Sequence, residues 1–151
     1  MLTPLTVIAV AIASWLVIGA LGLAQPRNLR VVRVLFPVGA AVAVVLVGIA
    51  LAALARGPET AVLPLGLPDL PFHLRIDALS AFFLILLGCA TAAISLFSSG
   101  YFRSGEGTAP GLICFLYNAF IAALALVLLA DDAYLFLVAW EKRGLGSFFL
   151  A

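Results

Sequence analysis

Twenty-two consecutive residues, Val34 to Ala55, carry no charged and no hydroxyl side chain, and this run limits the chain more than any other feature. In a bilayer every backbone N–H and C=O must find an internal partner, so such a run folds as a helix, and about 20 apolar residues cross the roughly 30 Å hydrocarbon core. The rest of the chain follows suit. Of 151 residues, 66% are hydrophobic and 10% charged, against about 25% charged in an ordinary soluble domain, and the mean hydropathy is +1.28. About 100 apolar residues allow about five spans. Too little polar surface remains to solvate a globule, which excludes a soluble enzyme domain. The net charge of +1, with Lys142 as the single lysine, gives no basic field for phosphates, so nucleic acid is excluded as a partner.

The apolar runs predict an all-α, polytopic transmembrane bundle forming a single membrane unit over residues 1–151. The first span covers about 2–24, with Pro4 tolerated in a first helical turn. A cleaved signal peptide is disfavoured because no Lys or Arg precedes the run and the run is long. A short link to Arg33 carries Arg27, Arg30 and Arg33, and the second span covers about 34–55. Residues 56–76 read as an extramembrane loop: Pro58, Pro64, Pro68 and Pro71 break any helix, and Phe72-His73-Leu74-Arg75-Ile76-Asp77 alternates with the period of a short strand. The third span, about 77–98, opens on Asp77, whose carboxylate can cap free N–H groups and meet the positive helix end. A Ser- and Gly-containing link follows, then a fourth span over about 110–130, a tight Asp131-Asp132 turn, and a fifth span over about 133–151.

Basic residues beside spans stay in the cytoplasm. The first and third loops hold Arg27, Arg30, Arg33 and Arg103, the second and fourth only Arg56 and Arg75, which places the N-terminus outside. Gly39 with Ala43, and Gly48 with Ala52, form small-x-x-x-small pairs that let another helix approach the second span. No internal repeat or heptad is evident. Cys89 and Cys114 lie in apolar runs without C-x-x-C spacing, supporting neither a disulfide framework nor a thiolate metal site, and read as packing residues.

Sites of chemistry are few. The sequence has no phosphate-binding Gly-rich loop, no H-E-x-x-H, no G-x-S-x-G and no cluster of His with carboxylates, so no cofactor or metal is expected. His73, the single histidine, reads as a satisfied residue of the membrane rim ahead of a proton relay. Glu141 stands apart. It lies eight residues into the fifth run, about 12 Å deep at 1.5 Å per residue. A carboxylate there costs several kcal/mol unless paired, hydrated or protonated, so residues of this kind mark ion pathways or proton relays. Lys142 and Arg143 sit about 100° and 200° around the helix from it, so neither faces it as an i+3 or i+4 residue does. Three successive charges point to a bundle interior or water-filled cavity with partners beyond this chain.

Asp77-Ala-Leu-Ser-Ala-Phe-Phe, together with Ala130-Asp131-Asp132 and Leu135-Phe136-Leu137-Val138-Ala139-Trp140-Glu141, resembles the antiporter-like membrane subunits of complex I, membrane-bound [NiFe] hydrogenases and Mrp antiporters. The pattern is most similar to the membrane component of the hydrogenase-4 and formate hydrogenlyase type, from about Leu74 onward, as an N-terminal fragment of that fold. The resemblance implies proton translocation coupled to electron transfer in a respiratory NADH:quinone oxidoreductase-like or hydrogenase-4-like complex in the inner (plasma) membrane. Other membrane and hydrophilic subunits, the lipid bilayer and protons or Na⁺ are then its partners, and the chain holds no redox centre of its own. In the family, the fifth-helix glutamate works with a lysine on a later, broken helix; Glu141 takes the glutamate's place, and that lysine has no counterpart here. Asp131, Asp132, His73, Lys142 and Arg143 are candidate modulators; Lys142 and Arg143 depart from the family, which usually has apolar residues there. Two other readings share these residues: an Mrp-type cation/proton antiporter subunit, and a truncated, non-conducting remnant.

Overall fold

The computed structural model describes residues 3–67, 70–101 and 108–150. Five helices and one hairpin follow in the order α1 Pro4–Ala24, α2 Leu29–Leu54, β1 Glu59–Leu67, β2 Leu70–Ile76, α3 Ala78–Tyr101, α4 Pro110–Leu129 and α5 Ala133–Leu150. Four of the helices are long and apolar enough to cross a membrane: Pro4–Ala24, Val32–Leu54, Ala78–Tyr101 and Pro110–Leu129. At 1.5 Å per residue their 20 to 24 residues match the roughly 30 Å core. The chain is an all-α, multi-pass membrane bundle.

The fifth run is a helix but not a fifth span of the same kind, a correction to the count of five. It is not among the four helices apolar enough to cross, because it carries Glu141, Lys142 and Arg143 in succession, each costly in lipid.

Local chemistry sets the helix starts. Thr3 caps α1, its Oγ1 accepting the Thr6 N–H at 3.3 Å, and Pro4 follows where no N–H is needed. The Asp77 carboxylate caps α3, accepting the Ser80 N–H at 2.8 Å. Pro110 opens α4. The first link is shorter than its charges predict: α2 begins at Leu29, so Arg30 and Arg33 belong to its first turns, where long cationic side chains can extend toward the interface. Arg103 lies outside the described residues.

The segment read as a loop with one short strand is a two-stranded antiparallel hairpin. Glu59 pairs with Ile76, Ala61 with Leu74 and Val62 with His73, and the register shifts between Leu63 and Gly66. Proline removes a ladder donor and is confined to edges and irregularities. With only two strands, every position is at an edge, so Pro64 is accommodated in β1 beside the shift.

Packing runs α3–α2–α1–α4–α5, made close by missing side chains. A Cβ on Gly88 of α3 would stand 2.6 Å from Val47 Cγ2 and 3.1 Å from the Ala43 carbonyl of α2. The small residues Gly39 and Ala43 are buried there, whereas Gly48 and Ala52 face away from the bundle. At the other contact, a Cβ on Gly111 would collide with the Gly22 carbonyl and stand 2.6 Å from Pro26 Cα. The Gly111 N–H donates to the Pro26 carbonyl at 2.9 Å, fixing the start of α4 against the end of α1. Trp15, Leu46, Leu84, Cys114 and Ala125 fill the core, while Val10, Val44, Leu79 and Phe97 point outward, as lipid-facing residues do. Cys89 is exposed on α3, and Cys114 packs against Gly22.

Candidate functional site

The sequence-selected residues fall into two places. His73, Asp131 and Asp132 meet at the end of the bundle that carries the hairpin, whereas Glu141, Lys142 and Arg143 lie halfway along α5. Nine residues separate Asp132 from Glu141, about 13 Å of helical rise.

The first place is a clasp. Leu74 of β2 forms an isolated antiparallel bridge with Ala130, and the Asp131 N–H donates to the His73 carbonyl at 3.0 Å. Asp132 works in two directions. Its Oδ1 accepts the Leu135 N–H at 2.6 Å, capping α5, while its Oδ2 accepts the His73 N–H at 2.9 Å and lies 3.3 Å from His73 Nδ1. Phe72 and Tyr134 add a ring contact at 5.7 Å between centroids. Arg75, two residues from His73 and so on the same face of β2, bridges Asp77 at 3.9 Å and Asp131 at 3.7 Å. The role of Arg75 escapes a reading of motifs, although the alternation of residues 72–77 places His73, Arg75 and Asp77 in one row. These ion pairs are exposed and contribute about 0–1 kcal/mol each; the bonds from backbone N–H groups to carboxylates carry the clasp.

Those bonds also set its acid response. The Leu135 N–H, followed by the His73 N–H, holds the Asp132 carboxyl below its ordinary value, with burial opposing. The Ser80 N–H does the same for Asp77, with a smaller contribution from Arg75. A carboxyl whose folded value is depressed stabilises the fold above its unfolded value, about 3.9, and that stability is lost as pH falls through the lower, folded value. Amide exchange in the first turn of α5 should therefore accelerate as pH drops below about 4 relative to the intrinsic exchange rate, and Asp132→Asn should remove this pH dependence. Asp132→Ala should cost about 1 kcal/mol at neutral pH through the lost cap. Unchanged protection in Asp132→Ala would show that the cap is not holding the helix.

In the second place, α5 turns Leu135 and Ala139 inward, at 1% and 2% exposure, against α4. Glu141 is two positions from Ala139, about 200° around the helix, and is exposed on the far side in a stripe with Leu137, Leu145 and Phe148. Among the described residues Glu141 and Lys142 have no hydrogen bond or ion pair. Arg143 is occupied differently: its guanidinium carbon lies 3.6 Å from the Trp140 ring centroid, and Trp140 stacks on Phe136 at 5.7 Å. A cation over an indole face is held by about 0.5–2 kcal/mol. This stack keeps Arg143 beside Trp140 and leaves the carboxylate on a face free for another helix.

Fold and site together define a class: a multi-pass membrane bundle whose last described helix bears an unpartnered carboxylate on an outward, otherwise apolar stripe. Two curated proteins are similar to part of the chain. The chain is 38% identical over 77 residues, 51% of its length, to hydrogenase-4 component B of Escherichia coli (strain K12). It is 33% identical over 88 residues, 58% of its length, to NADH-quinone oxidoreductase subunit L of Mycobacterium tuberculosis (strain H37Rv). These partial homologues match the antiporter-like subunit family that the sequence resembles. The matched stretches span 12% and 14% of those two proteins. No family model matches the chain.

Proposed function

We propose that the chain is part of a proton-translocating membrane subunit of a respiratory NADH:quinone oxidoreductase-like or hydrogenase-4-like complex, with Glu141 as a protonatable element of the transfer path. The observation that carries this reading is the position of Glu141: midway along α5, directly after Trp140, unpaired among the described residues and facing away from the bundle. A carboxylate so placed needs a partner or water from outside the helices described here. The names of its relatives, a hydrogenase component and a quinone oxidoreductase subunit, support electron transfer as the driving reaction. Lys142, with Arg143 held on Trp140, then adjusts the field around Glu141. Asp131, Asp132 and His73 set the height of α5 through the clasp. The Arg30 and Arg33 side chains at the start of α2 support an N-terminus outside the inner membrane.

Inverted membrane vesicles test both parts. Deleting the gene for the chain should abolish acidification of the vesicle lumen driven by the electron donor of the complex, and a protease-cleavable tag before Met1 should be protected in these vesicles. Undiminished acidification overturns the function; a tag that is cleaved there overturns the orientation.

A further inference from the structure

Three polar residues are buried among the apolar helices: Thr91 and Ser95 of α3, each 1% exposed, and Asn118 of α4, 2% exposed. Thr91 and Ser95 are four residues apart and share one helix face. That face meets α4, where the Tyr117 hydroxyl donates to the Thr91 carbonyl at 3.2 Å and lies 3.2 Å from Ser95 Oγ. Asn118 spends its Nδ2 on the Cys114 carbonyl at 2.8 Å, which turns its carbonyl oxygen elsewhere. The third wall is α2 at Gly39. A Cβ built on Gly39 would stand 3.6 Å from Asn118 Oδ1 and 4.0 Å from Ser95 Oγ, so oxygens from two helices border the space that a larger residue would fill. From α1, the Trp15 indole N–H donates to the Gly39 carbonyl at 3.2 Å. All four spanning helices therefore bring a polar group to one level. That level is central: Thr91 lies about 20 Å of helical rise from the start of α3, and Asn118 about 16 Å from the end of α4.

One turn of α3 from Ser95 and on the same face, the Thr91 hydroxyl is buried and has no hydrogen-bond partner among the described residues. Hydrocarbon offers none, and interior water settles at such points, usually with about three hydrogen bonds to otherwise unsatisfied groups. We propose that the junction is a water-binding site, holding an ordered water molecule that accepts from Thr91 Oγ1 and donates to Ser95 Oγ and Asn118 Oδ1. The site lies among α2, α3 and α4, apart from Glu141 on the outer face of α5, and stands whether or not Glu141 carries protons. It links three spans through one molecule deep within the bundle.

Proton-detected solid-state NMR of the natural chain in lipid bilayers, labelled at threonine, tests this directly. Thr91, identified by the resonance lost in Thr91→Ser, should show a cross-peak to the water proton frequency, as exposed Thr3 and Thr60 do. In Gly39→Ala, whose added methyl makes only ordinary contacts with its neighbours but takes up the space beside the two oxygens, the Thr91 cross-peak should disappear while those of Thr3 and Thr60 remain. Absence of the cross-peak in the unsubstituted chain overturns the site. Its persistence at full intensity in Gly39→Ala overturns the placement beside Gly39.

Discussion

Replacing Glu141 by Gln should reduce coupled proton transfer by about 100-fold or more, the scale of removing a side chain that hands on a proton, while the subunit still assembles. Gln keeps the shape and hydrogen-bonding reach of Glu but cannot exchange a proton. The substitution also takes no partner away within the described chain, since Glu141 bonds to none of its residues and contributes nothing to the contact of α5 with α4. Lumen acidification in inverted vesicles, divided by the rate of electron transfer, is the quantity to measure. If Glu141→Gln pumps like the unsubstituted protein, Glu141 is not in the path. If electron transfer and assembly are lost as well, the residue is structural.

A second large effect is expected at Gly111. Substitution by Ala places a methyl against the Gly22 carbonyl and Pro26 Cα, both backbone atoms with no rotamer to move. Overpacking a tight core typically costs 1–3 kcal/mol and occasionally more; with two backbone obstructions, Gly111→Ala should cost about 3 kcal/mol, over 100-fold in the folding equilibrium. It should also weaken the Gly111 N–H bond to Pro26. Unfolding in detergent or bicelles, followed by intrinsic tryptophan fluorescence, reads the shift, because Trp15 is fully buried in α1. The same substitution at Gly48, which has open space around its missing Cβ, should leave stability unchanged or slightly raised. Equal costs at the two positions would refute the close approach of α1 and α4.

Those contrasts show what can be seen in a chain like this before its fold is known. Pro4, Asp77 and Pro110 announce the starts of α1, α3 and α4 because caps and first-turn prolines act over three or four residues. Charge is a weaker guide to helix ends: Arg30 and Arg33 read as loop and are helix, since a long cationic side chain can reach water from inside the first turns. The hairpin is half visible, as β2 alternates cleanly while β1 carries Pro64 and loses its pattern at the shift. Glu141 is conspicuous from its neighbours alone. By contrast, the bond from His73 to Asp132 joins residues 59 positions apart, and no local periodicity encodes such a pairing. The same holds for Gly111, whose necessity appears only when α1 is laid beside it.

The clasp between β2 and the α4–α5 turn has a consequence for biogenesis. A chain is made from its N-terminus, and its parts fold in that order. His73 and Leu74 therefore emerge and pair with β1 before Ala130, Asp131 and Asp132 leave the ribosome. When the charged fifth helix is finally delivered to the membrane, its first turn meets a docking edge already in place, with backbone groups waiting for the Asp131 N–H and the Asp132 carboxylate. The helix that carries three successive charges is thereby met at its first turn by hydrogen-bonding protein and not by bare lipid.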